Sequence, residues 1–240
     1  MEFGYTHSTP YRMTATRGVS YRVIHMTETL AVHTVEGFLT PEETSHLTKL
    51  LDDHLETTGW TPARPSDGIT PPREIQEILA TALERALPAI RRAFPSVAGA
   101  TEWDYHDLGP GDRIDPHLHG VGNPDERPQR VARVAFHLQE ADRGGEFYVD
   151  TSSSDALWTD RTAGEGSAFA PGTRFAREIS HHAGPEAIAT LRGIPRTRWT
   201  SAPPAGTAVV YGAQLVHGVA TVREGRLRKL ITNLLDGPAR

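Results

Sequence analysis

The chain has no cysteine in its 240 residues, which excludes disulfides, thiolate metal sites and cysteine nucleophiles. It has only two lysines, Lys49 and Lys229, beside many arginines, and this reads as a habit of composition. No apolar run reaches the roughly 18 residues that a membrane-spanning helix needs. Positive charge is in deficit: 25 Lys and Arg face 30 Asp and Glu, a formal net charge of −5. That balance leaves no basic face for nucleic acid. The first residues lack the basic-then-apolar pattern of a secretory leader, so the expectation is a cytoplasmic protein with no membrane partner. There is also no Gly-rich phosphate loop, no nucleophile elbow and no H-E-x-x-H, which removes three large enzyme classes.

What is present suits a soluble globular chain, with 38% hydrophobic and 23% charged residues and a length that fits a single domain, 1–240. Residues 1–30 are polar and aperiodic and read as an arm. Residues 30–38 read as a strand running into Thr40-Pro41-Glu42-Glu43, where an N-cap, a proline at N1 and an acid at N3 announce a helix. That helix carries Leu47, Leu50, Leu51 and Leu55 at helical spacing and stops near Gly59. A second helix from about Thr70 places Ile75, Ile78, Leu79, Leu83 and Leu87 on one face and ends near Pro95. From Trp103 onward alternation broken by Gly and Pro predicts a β core over 101–235, with strands near 102–108, after the Gly109-Pro-Gly111 turn, and near 130–138, 146–150, 207–211 and the final run. Residues 151–200 read as an irregular insertion, a candidate lid.

The densest chemistry lies between Leu108 and Gly120, where Asp115, His117 and His119 recur with a period of two. On an extended strand all three side chains point the same way, and paired imidazoles suit a first-row metal such as iron or zinc. In a chain with 12 histidines such a pair also arises by chance. The best third ligand is His217, inside an apolar strand-like run.

The order of these parts resembles the prolyl-4-hydroxylase-like branch of the Fe(II)/2-oxoglutarate-dependent dioxygenases. The resemblance rests on Gly37-Phe-Leu-Thr-Pro-Glu-Glu43, Gly111-x4-Pro116-His117-x-His119, Leu138 before Gly144-Gly145-Glu146, the Pro-x-x-Gly206 turn, and His217-Gly-Val, over roughly residues 30–150 and 200–235. It implies a mainly β fold, a double-stranded β-helix (jelly roll) core with N-terminal α-helices packed on one sheet. It implies metal ligands at His117, position 119 and His217, with Fe(II), 2-oxoglutarate and O2 as cofactor and co-substrates. The arginine that meets the far carboxylate of 2-oxoglutarate falls at Arg228 or Arg226, with His137 and Thr232 as further co-substrate contacts. The implied activity is hydroxylation, desaturation or cyclisation of a small amino-acid- or peptide-derived molecule, in biosynthesis. Arg174, His181, His182 and Trp199 in the insertion are candidate substrate contacts, against the alternative that they are solvated.

At position 119 the family has aspartate and this chain has histidine. Three readings follow: three imidazoles hold the metal, Asp115 or another carboxylate takes the missing role, or the site is non-catalytic. A cupin-type three-histidine oxygenase that does not use 2-oxoglutarate competes, as does an inactive β-helix binding protein. Against the cupin, Glu126 follows His119 by too many residues and His217 lies too far along the chain.

Overall fold

A capping box fixes where the first long helix starts. The Thr40 hydroxyl accepts from the Glu43 amide at 3.1 Å, and the Glu43 carboxylate accepts from the Thr40 amide at 2.9 Å. The computed structural model describes residues 23–180 and 185–238, so most of the arm expected over 1–30 lies outside the described residues. A short helix α1 (Met26–Thr29) and strand β1 (Val32–Val35) precede the capped helix α2 (Pro41–Thr58), which ends on Gly59 in the left-handed region. Helix α3 (Arg73–Ala93) follows. The expected strand over 30–38 is thus shorter, because Gly37 turns the chain at φ 61° before the cap.

The rest is mainly β: β2 (Gly99–Ala100), β3 (Asp104–Leu108), β4 (Ile114–His117), β5 (Arg130–Gln139), β6 (Phe147–Thr151), β7 (Trp158–Thr162) and β8 (Arg174–Ala176). Helix α4 (Pro185–Gly193) then precedes β9 (Thr197–Ser201), β10 (Ala208–Gly212), β11 (Val216–Val219) and β12 (Leu227–Leu235). The larger sheet runs β1-β10-β5-β12, with β2 and β3 both on the far side of β12. The smaller runs β4-β11-β6-β9. The chain is a double-stranded β-helix.

Alternation along three central strands decides what each face of the larger sheet meets. Val134, Phe136, Val210, Leu230 and Leu234 point outward and pack under Leu47, Leu51, Ile75, Leu79 and Leu83 of the helices. Their neighbours Ala135, Val209, Tyr211 and Ile231 point inward, toward Phe147 on the smaller sheet. Position along β5, β10 or β12 therefore assigns a side chain to the helices or to the interior.

The expected insertion over 151–200 is more ordered than its composition suggests. It holds the β7–β8 hairpin, α4 and β9, which adds an outer strand beside β6. Every residue of β9 is exposed, so no apolar pattern marks it in the sequence. Its place is set by backbone pairing and by the buried Asp150 carboxylate, which accepts from Arg198 at 2.8 Å and from Arg196 at 3.1 Å.

Candidate metal and co-substrate site

His117 on β4 and His217 on β11 are direct cross-strand partners in the smaller sheet. Their rings lie 4.1 Å apart between centroids, and His119 stands 5.0 Å from the first and 5.2 Å from the second. One ring nitrogen of each comes within 4.8 Å of the others. His117 and His119 share one face by their two-residue spacing, His217 joins them as the direct partner of His117, and a bulge lies just before them on β4. His217 faces His117 while Val219 faces Ile114, so three residue steps on β4 oppose two on β11. Strict alternation fails there, and Asp115 turns outward to accept from Arg113 at 2.9 Å and to face Arg192 at 4.0 Å. The expectation that Asp115 points with the histidines is corrected; its carboxylate is not part of the cluster.

The backbone orients two of the three rings. His117 Nδ1 lies 3.0 Å from the Asp115 carbonyl and His217 Nδ1 lies 2.9 Å from the Leu215 carbonyl. A carbonyl only accepts, so both Nδ1 atoms carry the proton and both Nε2 atoms carry the lone pair a metal needs. His119 is held differently. Arg133 Nη1 donates to its Nε2 at 2.8 Å, so that lone pair is already in use. Leu118 and Ile179 exchange backbone hydrogen bonds of 2.9 and 2.8 Å, which fix the backbone beside His119. Close packing also constrains Gly218: a Cβ there would meet the Tyr148 hydroxyl at 2.2 Å and the Ile114 carbonyl at 2.5 Å. Gly218→Ala is expected to lower stability by about 1–3 kcal/mol through that overlap, read as a shift in the urea midpoint. An unshifted midpoint would show that β11 can yield at this point.

The cluster lines a cavity of about 330 Å³ between the two sheets. Phe147, Val219, Tyr211 and Ile231 supply its apolar wall, and Arg133, His137 and Lys229, with Ser66, Asp104 and His106, its polar one. His137 Nδ1 meets the Glu140 carboxylate at 2.5 Å. Lys229 pairs directly with His137 across β12 and β5, and opposed residues share a face. Burial, then the nearby Arg133 charge, pushes the Lys229 ammonium down to about 7, with Glu140 opposing. Burial pushes the Tyr211 hydroxyl up, and Arg133 and Arg130 oppose that shift.

Of the residues expected at this site, His117, His119, His217 and His137 line the cavity. Arg228, Arg226 and Thr232 do not: Arg228 and Thr232 stand on the opposite face of β12, and Arg226 precedes the strand. Arg228 donates to the Tyr105 hydroxyl at 2.9 Å and pairs with Asp52, Arg226 pairs with Asp107 at 2.7 Å, and Thr232 donates to the Thr101 carbonyl at 2.7 Å. Arg174 pairs with Asp155, and Trp199 is 60% exposed with its Nε1 on Thr151; neither lines the cavity. His181 and His182 lie outside the described residues. Sequence reasoning missed Lys229 and Arg133. The available signal was parity: both share odd numbering with the inward-pointing Ala135, His137 and Ile231.

No known family model matches the sequence, and no curated protein is similar to it in sequence. Solved structures do match the arrangement just described. One is a Pseudomonas putida prolyl-4-hydroxylase, 16% identical, with a TM-score of 0.52 over 86% of this chain and 93% of that one. The chain has the prolyl-4-hydroxylase fold. A Trichoplax adhaerens prolyl hydroxylase, solved with a hypoxia inducible factor peptide, reaches a TM-score of 0.55 at 10% identity, covering 88% of each chain. The alpha ketoglutarate dependent carbocyclase SnoK of nogalamycin biosynthesis reaches 0.51 at 13% identity over 88% of this chain and 81% of that one. In this chain that fold carries a three-histidine cluster in a cavity whose polar lining includes Arg133, Lys229, His137, His106 and Asp104. No helix among the described residues is long and apolar enough to cross a membrane.

Proposed function

We propose that the chain is an Fe(II)- and 2-oxoglutarate-dependent oxygenase of a small amino-acid- or peptide-derived molecule, acting by hydroxylation or by the related desaturation or cyclisation. One observation carries the reading. Three imidazoles converge in the same cavity as a buried lysine that makes no hydrogen bond or ion pair to a described residue. The donor set fits a divalent first-row metal of borderline softness. His117 and His217 would hold it through Nε2, oriented by their Nδ1 hydrogen bonds, and His119 joins them once Arg133 lets go.

Bound together, iron and 2-oxoglutarate would supply O2 activation coupled to loss of CO2 and oxidation of a substrate C–H bond. The protein's own groups do the rest. Lys229 meets the far carboxylate of the co-substrate, because an ammonium at that depth is stabilised by an anion in direct contact. His137, held at Nδ1 by Glu140, offers the other edge of its ring to the same carboxylate. Phe147, Val219 and Ile231 exclude water from the reacting end.

Anaerobic titration with Fe(II) and then 2-oxoglutarate tests the reading through the visible metal-to-ligand charge-transfer band. A band with both added supports it, and iron binding without that band would sink it. The second outcome fits the three-histidine oxygenase without 2-oxoglutarate, which the histidine-only donor set favours. Arg228→Ala is expected to leave 2-oxoglutarate affinity within about twofold while lowering stability by about 1 kcal/mol. A tenfold loss of affinity would return the anchor to Arg228.

A further inference from the structure

Arg133 donates directly to His119 of the cluster, and no described residue gives it an anion. Its guanidinium touches His119 and the Tyr211 hydroxyl, and its Nε is buried without a hydrogen-bond partner. No carboxylate of the described residues lies within ion-pair distance. The acids around the cavity are engaged elsewhere: Asp104 accepts from Thr70, Glu140 meets His137, and Glu178 acts only from a distance on the neighbouring Arg130. An arginine this enclosed is normally paired, often through both arms of its fork.

We infer that Arg133 is a specificity residue that binds a carboxylate of the primary substrate beside the histidine cluster. This deepens the oxygenase reading and rests on it. On that reading iron and Lys229 would hold the two ends of 2-oxoglutarate, which would leave Arg133 unpaired by the co-substrate. The three ligands are neutral imidazoles, so no ligand carboxylate offsets the guanidinium either. A carboxylate accepts two parallel hydrogen bonds from Arg133, which an imidazole cannot do. Its arrival therefore draws Arg133 off His119 and frees the Nε2 lone pair. A second hollow shares Ser66 and Ile114 with the main cavity; its arginines Arg64, Arg113 and Arg192 are paired with Asp67 and Asp115, so it adds no unpaired cation to the approach.

The test uses the metal-free full chain labelled with 15N in arginine and histidine. It is titrated with acetate, with acetamide as a neutral isostere, and with chloride at matched ionic strength. Acetate is expected to move the Arg133 side-chain and His119 ring signals together, at roughly tenfold lower concentration than acetamide or chloride. Arg133→Gln loses the response, and Lys229→Met keeps it. Equal responses to acetate and acetamide, or to acetate and chloride, overturn the inference. So does a response that follows Lys229 rather than Arg133. The wild-type contrast between acetate and acetamide decides the matter even if the Arg133 variant does not fold. Loading the same chain with Fe(II) under anaerobic conditions and adding 2-oxoglutarate separates the two failures. A chain that binds 2-oxoglutarate while acetate leaves Arg133 unmoved fails only the inference. One that takes acetate at Arg133 and gives no 2-oxoglutarate band fails the oxygenase reading.

Discussion

Replacing His217 by alanine is expected to abolish specific Fe(II) binding, whereas His119→Ala costs far less. His217 and His117 are cross-strand partners with their protons fixed on Nδ1 by backbone carbonyls, so each presents a ready lone pair. Loss of either leaves two donors at most. The fall in affinity should exceed the roughly 10- to 100-fold that loss of an outer hydrogen-bond partner produces. His119 starts from a different position. To ligate through Nε2 it must give up the 2.8 Å bond from Arg133, and a cation then stands beside the metal. A hydrogen bond to a charged group contributes about 1.5–3 kcal/mol, so one to two orders of magnitude of His119's benefit are offset. Anaerobic calorimetric titration of the two variants reads the difference. Equal losses would mean that Arg133 yields without cost and that all three histidines act alike.

Lys229→Met is expected to weaken 2-oxoglutarate binding by about 100-fold or more, the size seen when one partner of a buried charge pair is removed. The same change should stabilise the free protein at neutral pH, because methionine fills similar space without a charge to desolvate. The pH dependences run in opposite directions. Burial holds the folded-state Lys229 at about 7 against 10.5 for an ordinary lysine. Between those values the unfolded chain binds a proton that the folded one does not, so stability rises with pH across that window. Co-substrate binding needs the charged ammonium, so affinity falls by up to about tenfold per pH unit above 7. Urea unfolding of wild type and variant from pH 7 to pH 10 isolates the first effect. Binding isotherms over the same range isolate the second. A 2-oxoglutarate affinity that ignores both the substitution and pH would move the anchor away from Lys229.

Much of the fold was legible in local chemistry. The Thr40–Glu43 capping box, the leucines of α2 and α3, and the turn glycines each act within a few residues, so the sequence states them directly. The β9 strand was not legible, because its five exposed residues carry no apolar alternation and its pairing depends on β6 and the distant Asp150. Lys229 shows the same limit from the other side. With Lys49 it looked like a remnant of an arginine-rich composition, yet it is the lysine that enters the cavity.

By itself the sequence determined a β core, the two N-terminal helices and the His117–His119 pair, while the β-helix class and the ligand set with His217 came from the family resemblance. It could do so because caps, periodicity and the His-x-His spacing are properties of neighbouring residues. Tertiary structure decided which residues on each strand meet the cavity. The bulge on β4 turns Asp115 out, and the pairing of Lys229 with His137 turns Arg228 toward the helices and Lys229 inward. It also placed Arg133 on His119. A strand's two faces are equivalent until its partners and their register are fixed, and a one-residue shift exchanges every side chain between them.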